Sequence, residues 1–97
     1  MNKAELINKL NRLEKELRQR GVASLALFGS RVRGEGGPDS DVDLLVEFSQ
    51  PVSLFEFFRL QHWLEEALGV DKVDLVEREA LHPALKERII AESVHVA

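Results

Sequence analysis

Three aspartates and a glycine–serine pair are the residues of this chain best suited to chemistry. Asp41 and Asp43 stand two apart at the head of an apolar run, Val42 with Leu44-Leu45-Val46, that reads as a strand. Residues i and i+2 of a strand project from one face, so the two carboxylates stand side by side. Like charges this close repel, and a divalent cation relieves them; hard carboxylate oxygens suit Mg2+. The alternative is a solvated strand mouth with Asp41 capping a turn. Gly29-Ser30 ends an earlier apolar run, ten residues before Asp41. A glycine there permits close backbone approach, and the amides and hydroxyl that follow can hold phosphate oxygens, although Gly-Ser is also a common turn. Asp74 lies among apolar neighbours in Lys72-Val73-Asp74-Leu75-Val76. It is either an edge-strand charge that discourages aggregation or, if its strand lies beside the other two, a third carboxylate at the same spot. Three converging acids point to metal. Arg31 and Arg33 put positive charge next to the glycine loop, for phosphate or for pairing with Glu35, Asp39 or Asp41. Ser40 is placed to cap the turn into the strand or to reach a phosphate.

The elements that must position these residues are legible from periodicity. Leu6, Leu10, Leu13 and Leu17, with Ile7, form one apolar stripe of a helix that stops at Gly21. Val22 to Phe28 is a buried strand, Arg31 to Ser40 is loop, and Val42 to Phe48 is a second strand. Ser53 caps a helix running to about Leu68, which Gly69 ends. Val73 to Val76 is a short third strand, Pro83 opens a last helix to about Glu92, and Val94 to Val96 adds an edge strand. The expected fold is α/β (α+β): a small mixed sheet flanked by helices, in a single domain spanning residues 1–97.

Composition narrows the function. The 97 residues suffice for one core, with 44% hydrophobic and 31% charged residues. A net charge of −4 argues against a domain that lives on nucleic-acid backbone attraction, so no direct nucleic-acid binding is expected. The absence of cysteine removes disulfides, thiolate zinc sites and cysteine nucleophiles. His62, His82 and His95 are scattered and make no metal-spaced pair. No apolar run is long enough to span a membrane, and residues 1–20 carry charge throughout, unlike a signal peptide. A soluble, cytoplasmic protein is the expectation.

Gly29-Ser30, ten residues, then Asp41-Val42-Asp43 resembles the signature of the nucleotidyltransferase superfamily related to DNA polymerase beta. The fuller string, Gly-Ser-Arg-Val-Arg-Gly followed by Ser-Asp-Val-Asp-Leu, is similar to its smallest members, the minimal nucleotidyltransferases (MNT domains), over essentially the whole chain. Val32 departs from the alanine usual in that pattern. The resemblance implies the nucleotidyltransferase fold and transfer of a nucleoside monophosphate from an NTP, usually ATP, to a hydroxyl, with two Mg2+ ions. It implies that Asp41 and Asp43 bind both ions, that Asp74 binds the one nearest the attacking hydroxyl, and that Gly29 and Ser30 hold the triphosphate. Arg31 and Ser40 join them as candidate nucleotide contacts.

One further feature concerns partners. The helix after Ser53 carries Leu54, Phe55, Phe57, Phe58, Leu60, Trp63, Leu64 and Leu68 over more than one face. It is either a well-buried core helix or one that also meets another protein, with Phe55, Phe58 and Trp63 as candidate contacts. The family resemblance points to a partner, because MNT domains resemble the antitoxin half of toxin–antitoxin pairs. The toxin there is typically a HEPN-domain ribonuclease, which some antitoxins modify with AMP on tyrosine. This chain has no tyrosine, so such an acceptor lies in another chain. Three functions therefore stand: an AMP-transferring antitoxin, a non-catalytic antitoxin that masks its partner, and a small-molecule nucleotidyltransferase working as a homo-oligomer.

Overall fold

A computed structural model describes residues 1–34 and 41–97. Helix α1 (Lys3–Arg12) starts where the Asn2 side chain accepts the Glu5 N–H at 2.9 Å. It does not run on as one helix. At Leu13 the N–H bonds back to the Leu10 carbonyl, a tight three-residue closure, and α2 (Glu14–Gln19) follows. The offset keeps Leu17 on the same buried face as Leu6 and Leu10.

Gly21, at φ +86°, turns the chain into β1 (Val22–Phe28). A register shift between Val22 and Ser24 lets Val22 and Leu25 both face inward despite their odd spacing. After β1 comes a one-turn helix, α3 (Ser30–Arg33), closed by Gly34. This turn replaces the start of the expected loop; the rest of that loop, including Ser40, lies outside the described residues. Strand β2 (Val42–Phe48) runs antiparallel to β1, with Phe28 opposite Asp43. Helix α4 (Leu54–Leu68) is capped by Ser53, which accepts the Glu56 N–H at 3.1 Å, and ends at left-handed Gly69. It carries the chain across to β3 (Val73–Glu77), parallel to β2. A single 3-10 turn, Arg78–Ala80, leads to α5 (Pro83–Glu92), and β4 (Val94–His95) pairs antiparallel with β1.

The sheet order is β3-β2-β1-β4. One face packs Leu25, Leu27, Val42, Leu44, Val46, Val73 and Leu75 against Leu6, Leu10, Leu17, Leu60, Leu64 and Leu68 of the helices. The core thus lies on one side of the sheet. By strand alternation Asp43 and Asp74 project from the other side. Helix α4 also fixes the start of β3. Gln61 donates to the Val73 carbonyl at 2.7 Å, and the Val73 N–H donates to Glu65 at 2.9 Å. No described helix is long and apolar enough to cross a membrane.

Candidate active site

The carboxylates come from the heads of two parallel neighbours. Asp43 and Asp74 are in direct register across β2 and β3, and Asp41 stands two residues before Asp43 at the mouth. Parallel pairing aligns the strand heads, and a long crossover through α4 makes it possible.

Gly29 sits under this cluster. Its φ of +79° is one that side-chain-bearing residues rarely adopt. A Cβ added there would overlap the Asp43 carboxylate, with Cγ only 2.9 Å away. The bare backbone at the β1–α3 corner is therefore what lets Asp43 occupy its position. Ser30 opens α3 directly beside it, and the Val32 and Arg33 N–H groups bond the Gly29 carbonyl at 3.1 and 3.3 Å.

The electrostatics follow from crowding. Asp43 is half-buried, and its carboxyl is pushed up from the ordinary 3.8 to about 6. Loss of water is the largest cause; the charge of Asp74, a hydrogen bond between the two carboxyls and the charge of Asp41 add to it. Arg33 pulls the other way. Lys72 spans the cluster from outside, its ammonium 3.6 Å from Asp41 Oδ2 and 3.7 Å from Asp74 Oδ1.

The two arginines separate. Arg33 pairs with Glu92 of α5 at 2.9 Å, tying the glycine turn to the last helix. Arg31 is buried, only 6% exposed, and donates to the Met1 carbonyl at 3.0 Å, tying the same turn to the start of α1. Glu35, Asp39 and Ser40 lie outside the described residues. Lys72 and Glu92 were not singled out by sequence reasoning. Lys72 had a signal, since it sits two residues before Asp74, immediately ahead of β3. Glu92 had none, because nothing local links it to Arg33.

Among the described residues no three His, Asp or Glu side chains are grouped so as to enclose a metal as they stand. The donors nonetheless fit Mg2+. They are hard carboxylates from adjacent strand heads, burial and mutual repulsion raise the Asp43 carboxyl, and a glycine leaves room for it.

A model of the nucleotidyltransferase domain matches residues 10–96. Protein adenylyltransferase MntA of Thermococcus cleftensis is 45% identical over 84 residues, which are 86% of this chain and 84% of that protein. The solved structure of a minimal nucleotidyltransferase has a TM-score of 0.82 at 35% identity, covering 97% of this chain and 95% of that one. A toxin–antitoxin structure with AMP-PNP matches with a TM-score of 0.74 at 26% identity, over 91% of this chain and 72% of that one.

Proposed function

The chain belongs to the nucleotidyltransferase domain family, and from that membership and the site geometry we propose that it moves AMP from ATP to a hydroxyl of a partner protein. The observation that carries the reading is the register of Asp43 with Asp74, beside a glycine that leaves room for the Asp43 carboxylate. The acceptor hydroxyl attacks the α-phosphorus of ATP. A new oxygen–phosphorus bond forms, the bond from that phosphorus to the bridging oxygen breaks, and pyrophosphate leaves with the electron pair. Asp74 is the residue we assign to take the hydroxyl proton. Gly29 and Ser30 hold the triphosphate with the turn between β1 and α3. Mg2+ bound by Asp41, Asp43 and Asp74 would stabilise charge on the entering and leaving oxygens. Arg31, buried against Met1, keeps that turn in shape and contributes to nucleotide binding through it; Ser40 is assigned to the same phosphate side.

The partner we infer is a HEPN-domain toxin in the cytoplasm, with this chain, as one domain over 1–97, its antitoxin. Two facts support this: the named activity of the Thermococcus relative, and the toxin–antitoxin assembly of the structure with AMP-PNP. Apolar surface on α4 supports the reading: Leu54 and Phe55 are each 69% exposed and Phe58 is 48% exposed. Trp63, by contrast, packs against the core under Arg20, which lies 4.2 Å from the ring centre. The same surface favours a second reading, neutralisation by masking. Co-expression with the partner, followed by intact-mass analysis, separates them: AMP increments support transfer, and a stable unmodified complex supports masking.

A further inference from the structure

Lys72 is held at the site by its backbone as well as its charge. Its carbonyl accepts the Val42 N–H at 3.3 Å, one residue from Asp41, and Asp74 follows it by two residues at the head of β3. The ammonium lies 3.6 Å from an Asp41 oxygen and 3.7 Å from an Asp74 oxygen, so one cation already serves two of the three carboxylates. Ion pairs this exposed add little to folding stability. Their geometry matters more, because the ammonium occupies the space between an Asp41 and an Asp74 oxygen. A divalent ion entering between Asp41 and Asp74 meets that ammonium, and two cations a few ångström apart repel.

We propose that Lys72 is a tethered counterion that occupies the Asp41–Asp74 half of the cluster and weakens its affinity for a divalent cation until the side chain swings out. The inference rests on the reading of these carboxylates as metal ligands. The four-carbon stem is flexible and its head is half in solvent, so displacement needs no backbone change. The site is thereby kept from holding a full metal complement when idle.

The test is titration of the nucleotide-free chain with Mn2+ by calorimetry at constant pH, for wild type, Lys72→Met and Lys72→Arg. Met keeps the length of the stem and removes the charge; Arg keeps the charge. Circular dichroism confirms that each variant is folded. The expected result is Mn2+ binding roughly five- to tenfold tighter in Lys72→Met and close to wild type in Lys72→Arg. Equal or weaker binding in Lys72→Met overturns the inference while leaving the carboxylates as ligands, and so does tighter binding in Lys72→Arg. Absence of Mn2+ binding in all three chains overturns both this inference and the metal reading beneath it.

Discussion

Replacing Asp43 with Asn removes the charge that the site tolerates least and keeps the shape. The Asn amide can still donate to Asp74, so the hydrogen bond between the two positions survives. The wild-type carboxyl rises from 3.8 to about 6 on folding. A group raised in this way contributes stability that is full below pH 3.8 and is lost as pH climbs through about 6. Above pH 7 the folded wild type therefore carries an ionised, crowded Asp43 that the variant lacks. Each pKa unit corresponds to about 1.4 kcal/mol, and screening at a half-buried site reduces the total to about 1–2 kcal/mol. For a chain of this size that is a rise in Tm of roughly 5–10 °C. The assay is thermal unfolding of both proteins in chelator-treated buffer from pH 4 to pH 8. Asp43→Asn melts higher at pH 8, and the gap closes toward pH 4, where Asp43 is neutral in the folded state and partly protonated in the unfolded chain. Adding Mg2+ and ATP raises the wild type and leaves the variant where it was, because ligand binding to the native state alone stabilises it. A gap that does not change with pH, or a variant less stable at pH 8, would refute the crowding argument.

Gly29→Ala places a Cβ against the Asp43 carboxylate at a positive φ and lowers stability by about 1–3 kcal/mol with loss of transfer. Gly21→Ala, also at positive φ but with nothing within 4 Å, is the control; it lowers Tm less and leaves transfer intact, as unfolding and activity measurements will show. Asp74→Asn reduces turnover far more than it reduces nucleotide affinity, read from single-turnover kinetics against equilibrium ATP binding; full activity with the acceptor removes Asp74 from the assignment. Phe55→Ala leaves Tm nearly unchanged and weakens partner association by roughly thirtyfold, the effect of about 2 kcal/mol at a contact centre. Leu64→Ala, fully buried, instead lowers stability by about 2–5 kcal/mol and leaves association of the folded fraction intact.

Much of this architecture is written locally. Val22 to Phe28 and Val42 to Phe48 are apolar runs between glycine- or proline-marked ends, and they are the strands observed. Ser53 and Gly69 mark the ends of α4 because a hydroxyl at the N-cap and a left-handed glycine at the C-cap are local requirements. Asp41 and Asp43 share a face by strand period alone. The convergence of Asp74 on them was conditional, since it depends on β3 pairing parallel with β2. What escaped was short or distant. The helix split at Leu13 is one altered hydrogen bond within an unbroken leucine stripe. The turns at Ser30–Arg33 and Arg78–Ala80 are too brief to show periodicity. Trp63 has the same aromatic character as Phe55, and only the packing of α4 on the sheet decides that one turns to the core and the other to solvent.

The measurement that tests the central claim most directly is the intact mass of a HEPN-domain partner incubated with this chain, ATP and Mg2+, beside the Asp41→Asn and Asp43→Asn variants. The account predicts that the partner gains whole AMP increments with the wild type and none with either variant, while this chain, which has no tyrosine, stays unmodified. A partner that binds tightly yet keeps its mass, or AMP found on this chain itself, would contradict it.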